Sequence, residues 1–176
     1  MAASHLLRAL LSAVLVIMVA GCGYHLTNNP SRSLGTAHKI WIPFFSNESI
    51  SATAQTTLRR AFYDELHALR GLNPAENADG ADLVMKARLV SYSTSAVSYN
   101  ALDQAREFSL SVDVELEISR KGVTVPFWKG RLQGSKRYPA STDLALQRNA
   151  EEQALDAAAR IIAQKFISIA EESLPL

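Results

Sequence analysis

The chain has 176 residues, 48% of them apolar and 20% charged, with 18 Lys and Arg against 17 Asp and Glu. That length suits one domain with a sizeable core. The near balance of charge excludes the basic excess expected of a general nucleic-acid binder.

In chain order, a short, mildly basic start (Met1 to Arg8) leads into an apolar run from Ala9 to Val19, broken only by Ser12. Basic start, short apolar run and small residues are the order of a secretory signal. Roughly 11 residues are too few for a mature membrane span, which takes roughly 20. Val19-Ala20-Gly21-Cys22 closes the segment and resembles the bacterial lipoprotein signal. That resemblance implies a diacylglycerol on the Cys22 thiol, cleavage just before Cys22, and acylation of the new amine. Removal of residues 1–21 leaves 155 residues with no other Cys, so disulfide and thiol redox chemistry are excluded. No later segment is apolar enough to cross a bilayer. Gly23 stands where inner-membrane lipoproteins often carry Asp, which by the same resemblance favours the outer membrane.

Gly23 to His38 is rich in Gly, Asn, Ser and Pro, the chemistry of a loop, and reads as a tether. Its residues reach at most roughly 50–58 Å when extended. The expected organisation is a signal over 1–21, an acylated Cys and tether over 22–38, and one domain over 39–176.

Lys39 to Phe45 is a short strand of β-branched and aromatic residues, and Pro43 puts it at an edge or ends it. Asn47, Ser49 and Ser51 are candidate caps for a helix over about 52–69. Its apolar stripe is Ala54, Leu58, Phe62, Leu66 and Leu69, and Gly71 suits its C-terminal cap. Asn73 to Gly80 reads as a loop. Three strands follow, over 82–97, 107–119 and from 123 onward, with Asn100 and Asp103 at the first hairpin tip. In the middle strand Phe108, Leu110, Val112, Val114, Leu116 and Ile118 face one way, and Glu107, Asp113, Glu115 and Glu117 the other. That alternation predicts one buried and one wet face. Arg120-Lys121-Gly122 reads as a three-residue hairpin loop with positive φ at Gly122. It would set Val114 opposite Trp128, Leu110 opposite Leu132 and Asp113 opposite Lys129. Ser141 and Thr142 are candidate caps for a final helix over about 143–172, with an apolar stripe of Leu144, Leu155, Ala158, Ile162, Phe166 and Ile169. The expected fold is a two-layer α+β sandwich, a four-stranded mixed sheet covered on one face by two helices in the order βαβββα.

No catalytic signature is present. His25, His38 and His67 follow no metal-ligand spacing, and neither a nucleophile elbow nor a phosphate-binding Gly-rich loop occurs. No cofactor is expected. Charge is uneven, however. Residues 107–117 hold four acids and no base, whereas 120–148 hold seven bases and one acid. Paired as strands, the two stretches partly neutralise one another. Lys86, Arg88, Lys129 and Arg131 would still crowd the polar side of the sheet, where they suit the phosphates of an anionic amphiphile.

Several stretches together resemble one family. Val-Ala-Gly-Cys-Gly-Tyr-His-Leu (19–26), Lys-Ile-Trp-Ile-Pro-Phe-Phe-Ser-Asn (39–47) and Ala-Asp-Leu-Val-Met-Lys-Ala (81–87) are similar to the lipopolysaccharide-assembly lipoproteins, the LptE family. Trp-Lys-Gly (128–130) and Leu-Gln-Arg-Asn-Ala-Glu-Glu-Gln-Ala-Leu (146–155) extend the likeness over nearly the whole chain. The resemblance implies a non-enzymatic outer-membrane lipoprotein. It would plug the LptD β-barrel, assist its assembly and bind lipopolysaccharide. Only the acylated Cys22 carries over residue by residue. A second resemblance is to anchored regulators of a cell-wall synthase with a curli-secretion-like α/β domain, which also begin with an Ile-x-Pro-Phe-x-Asn strand. The short tether favours a partner at the membrane.

Overall fold

The computed structural model describes residues 33–68 and 70–173. The signal segment, Cys22 and the tether as far as residue 32 lie outside the described residues, as does Leu69. Strand β1 (Ser33–Trp41) is followed by a two-residue strand β2 (Ser46–Asn47) and helix α1 (Ala54–Ala68). Then come β3 (Arg70–Pro74), β4 (Leu83–Tyr99), β5 (Ala105–Arg120), β6 (Trp128–Pro139) and α2 (Leu144–Ser173). The sheet runs in the order β3-β1-β4-β5-β6, with β2 also paired to β4. β1 is parallel to β3 and β4, and β2 is parallel to β4. β4, β5 and β6 form an antiparallel meander.

The α+β class, the mixed sheet and the two covering helices agree with the sequence. The strand count does not: the sheet has six strands, not four. β2 arises because Pro43 lacks the N–H that would continue the β1 ladder. The chain leaves β4 after Trp41, paired with Val84, and rejoins it at Ser46, paired with Arg88. β3 occupies residues the sequence assigns to a helix cap and a loop. Gly71 lies inside this strand. Leu72 is its buried anchor, and Pro74 is tolerated because β3 is an edge. β1 itself begins at Ser33, within the stretch read as tether.

The core lies between the helices and one sheet face. Ala54, Leu58, Phe62 and Leu66 of α1 have no exposure, as the helical stripe requires. Phe62 is central, with ring centroids 5.6 Å from Phe45 and 5.4 Å from Phe166. Leu110, Val112, Val114, Leu116 and Ile118 of β5 are buried, and Phe108 is partly so. From α2, Leu155, Ala158, Ile162 and Phe166 are buried, whereas Ile169 is half-buried and Leu144 is 65% exposed in the first turn. No described side-chain polar atom is buried without a hydrogen-bond partner.

The caps differ from expectation. Asp143 caps α2, its Oδ1 accepting from the amides of Ala145 (2.8 Å) and Leu146 (3.2 Å). Ser141 Oγ instead accepts from the Asp143 amide at 3.1 Å. Asn47 and Ser49 organise the approach to α1 rather than its first turn. Asn47 Oδ1 accepts from the amide and hydroxyl of Ser49, and Asn47 Nδ2 donates to the Ser51 carbonyl at 2.7 Å. Asp103, at φ 57°, and Asn100 do form the β4–β5 tip, and Gly122 has φ 76°.

The β5–β6 connection is the main correction. It spans seven residues, 121–127, so Val114 faces Leu132, Leu110 faces Lys136, Asp113 faces Gln133, and Trp128 faces Ile118. Every pairing moves by four residues. An even shift preserves which face each side chain occupies, so the buried set survives although the partners change. Trp128 remains on the core side, its ring 6.3 Å from that of Phe166.

Candidate functional site

The helices leave the second face of the β4–β5–β6 meander uncovered. There β5 sits between two strands that carry bases, and the registers align them as rungs. Lys86, Glu117 and Lys129 form one rung, and Arg88, Glu115 and Arg131 form the next. All four bases singled out in the sequence therefore converge on two adjacent rungs. Each rung is base, acid, base because the acidic strand is central.

These bases are not bare. Arg88 is the most engaged: Nη1 donates to both carboxylate oxygens of Glu48 at 3.0 and 2.9 Å, and Nη2 donates to Glu115 Oε2 at 2.5 Å. These bonds, the Glu115 bond foremost, hold the guanidinium above its ordinary value. The same bond to Arg88 holds the Glu115 carboxyl below the usual carboxylate range. Lys129 donates to Glu117 Oε1 at 2.6 Å and is thereby raised. Arg131 pairs diagonally with Asp113 at 3.5 Å. Among the described residues, Lys86 makes no ion pair. Further along, Arg137 lies 3.8 Å from Glu107.

Glu48 was not legible as part of this site. It follows β2 in sequence and reaches Arg88 only because Ser46 pairs with Arg88 across a parallel junction. With Glu48 and Asp113 included, the four bases face four acids. A cleft of about 290 Å³ opens between them, lined by Ser46, Lys86, Arg88, Glu115, Glu117 and Lys129. Its walls are half-exposed ion pairs, which contribute little individually to stability. They can exchange a carboxylate for another oxyanion without unfolding anything. The cleft presents ammonium and guanidinium donors, carboxylate acceptors and the Ser46 hydroxyl.

A second cleft, of about 310 Å³, lies between β4, α2 and the approach to α1. In it the Tyr92 hydroxyl donates to Glu151 Oε1 at 2.5 Å. Burial, reinforced by that bond, pushes the phenol well above its usual range. Among the described residues, no group of three His, Cys, Asp or Glu is placed to hold a metal ion.

A sheet with one helical layer and an open, ion-paired second face defines a two-layer α+β domain. The same fold occurs in solved structures. Rare lipoprotein B from Shewanella oneidensis aligns at 15% identity and TM-score 0.52, over 76% of this chain and 94% of that one. A hypothetical protein from Chlamydia trachomatis aligns at 12% identity and TM-score 0.56, over 80% of this chain and 99% of that one. No match is found among curated proteins. The family model for LptE, lipopolysaccharide-assembly, matches residues 37–168. The chain belongs to the LptE family.

Proposed function

We propose that this protein is a non-enzymatic, acyl-anchored component of lipopolysaccharide assembly at the outer membrane, working inside an LptD-type β-barrel. The observation that carries the reading is the pair of base–acid–base rungs on the uncovered face of a chain of this family. An acyl anchor on Cys22 would hold the protein at the bilayer, since each buried CH₂ contributes about 0.8 kcal/mol. A polar, ion-paired face suits a barrel lumen, because barrel interiors are polar. Phosphates of lipid A suit Lys86, Arg88, Lys129 and Arg131 as multivalent oxyanions. Arg meets such groups in a bidentate fashion.

Lys86 and Lys129 have the most accessible role, since Arg88 is held by Glu48 and Glu115 from two sides. The test is lipopolysaccharide binding by the full lipoprotein carrying Lys86→Glu together with Lys129→Glu. Binding should weaken at low salt with folding retained. The difference should shrink at 1 M salt, where screening confines exposed charge effects to about 3 Å. Equal binding by variant and wild type at both salts would remove these residues from the site. Co-purification of the wild type with an outer-membrane barrel tests the partner separately.

A further inference from the structure

The sheet has two edges, and they are not alike. β3 closes one side with five residues and ends at Pro74, a short edge of the kind that discourages further pairing. β6 closes the other with twelve residues, about twice the usual strand length. Its ladder with β5 runs from Trp128 to Pro139 without a register shift, whereas the β4–β5 ladder has three. The Ala140 amide donates to the Arg106 carbonyl at 2.9 Å, which sets the phase of the β5–β6 ladder. Antiparallel bonds recur at every second residue, so the even-numbered residues of β6 bond β5. The odd-numbered ones, from Lys129 to Arg137, turn their N–H and C=O groups outward, and all of these residues are exposed. Among the described residues, one group on this row has a partner: the Gln133 carbonyl accepts from Lys165 Nζ of α2 at 2.7 Å.

We infer that the β6 edge takes up an extended acidic segment of another protein as an added strand. Backbone bonds give such a pairing its affinity, and side chains at alternate positions give it selectivity. Here the selectivity is electrostatic. β6 carries four bases and no acid. Across the open face the rungs read base, acid, base from β4 to β6, so an acidic strand continues the alternation. Arg131 and Arg137 hold their β5 partners loosely, at 3.5 and 3.8 Å, and are 53% and 70% exposed, which leaves them donors for a further carboxylate. A second copy of β6 breaks the alternation. Paired antiparallel about Gln133, Lys129 would meet the copy's Arg137, and one rung further Arg131 would meet it. Strand addition uses the edge and not the open face, so it leaves the anion site free and needs neither the lipid nor the barrel. A closed barrel has no edge of its own to offer. Within such a complex the added strand would come from a loop or a terminus.

The test uses the full lipoprotein in detergent micelles, with a short capped peptide of alternating Glu and Thr as the probe. Amide hydrogen exchange is followed residue by residue. With peptide in millimolar excess, exchange at Arg131, Gln133 and Ser135 should slow several-fold, and that at Leu132 and Gly134 should not change. A peptide with Lys in place of each Glu should have no effect. Ser135→Pro removes one outward N–H and no bond to β5, and should weaken peptide binding several-fold. Unchanged exchange at the odd-numbered positions overturns the inference even if the peptide binds, because a peptide held on the open face protects no edge amide. Equal protection by the Lys peptide overturns it as well, since charge then selects nothing. Protection that grows with protein concentration in the absence of peptide makes a second copy the occupant and overturns the acidic partner. Should Ser135→Pro fail to fold, wild-type exchange with the two peptides decides.

Discussion

Gly134 of β6 lies directly beneath the Ala158 carbonyl of α2. A Cβ built on Gly134 would overlap that oxygen and come within 2.8 Å of Ile162 Cγ1. The missing side chain sets how closely α2 approaches the sheet. Gly134→Ala should therefore push against helix backbone, which cannot rotate away as a side chain would. Overpacking of this kind costs about 1–3 kcal/mol. The expected result is a lower denaturant midpoint with an unchanged slope. The same substitution at Gly130 meets only the Trp128 indole, at 2.6 Å, and should displace that ring from Phe166 rather than lift the helix.

Glu115 gives the open face a pH dependence. Its folded-state pKa is held below the ordinary 4.5 by the Arg88 hydrogen bond. A depressed carboxyl contributes stability that is present above the unfolded value and is lost as pH falls through the folded one. Glu115→Gln should be less stable than wild type near neutrality, and the two should converge in acid. Urea midpoints compared across that range check this. Parallel pH profiles would show that the bond carries no net stability. Both partners are partly exposed, so the effect is modest.

The β4–β5 tip depends on one side chain. Asn100 Oδ1 accepts from the amides of Leu102 (2.9 Å) and Gln104 (3.0 Å), while Asn100 Nδ2 donates to Gln104 Oε1 at 3.0 Å. Asn100→Ala should free those amides to water and loosen the turn, at a cost of about 1 kcal/mol. Amide hydrogen exchange should accelerate at Leu102 and Gln104 and leave the core of β5 unchanged.

Cys22→Ser should leave a precursor that retains residues 1–21, because no other residue offers a thiol for the lipid. Mass spectrometry of the wild-type amino terminus is the complementary measurement. An unmodified Cys22 would sink the anchor.

The faces of this fold were legible in the sequence where a strand alternates cleanly, as β5 does from Glu107 to Ile118. Its partners were less legible. Val123-Thr124-Val125 imitates the alternation of a strand, so the hairpin loop read four residues too short, and Lys129 was set against Asp113 instead of Glu117. β2 and β3 gave no local signal at all. A two-residue strand and an edge reading Arg-Gly-Leu-Asn-Pro exist because β4 and β1 offer them hydrogen bonds, not because of their own composition. Four bases of the candidate site could be placed from periodicity. Glu48 could not, since its approach to Arg88 depends on a parallel pairing across 42 residues.

The two kinds of pairing in the sheet also impose an order on folding. β4, β5 and β6 meet through hairpins of neighbouring sequence, and the loops they close are short. β1 must wait for Pro74, 34 residues later, and for Leu83, 43 residues later, before Ile40 has both its partners. Closure of a longer loop costs more entropy before any contact compensates it. The meander with α2 is therefore expected to form the folding nucleus, with β1 and β3 added afterwards. Destabilising changes in the meander, such as Val114→Asp, should slow folding. Changes confined to β1, such as Ile40→Ala, should chiefly hasten unfolding. The part of the domain nearest the tether would then be the last to set and the first to loosen.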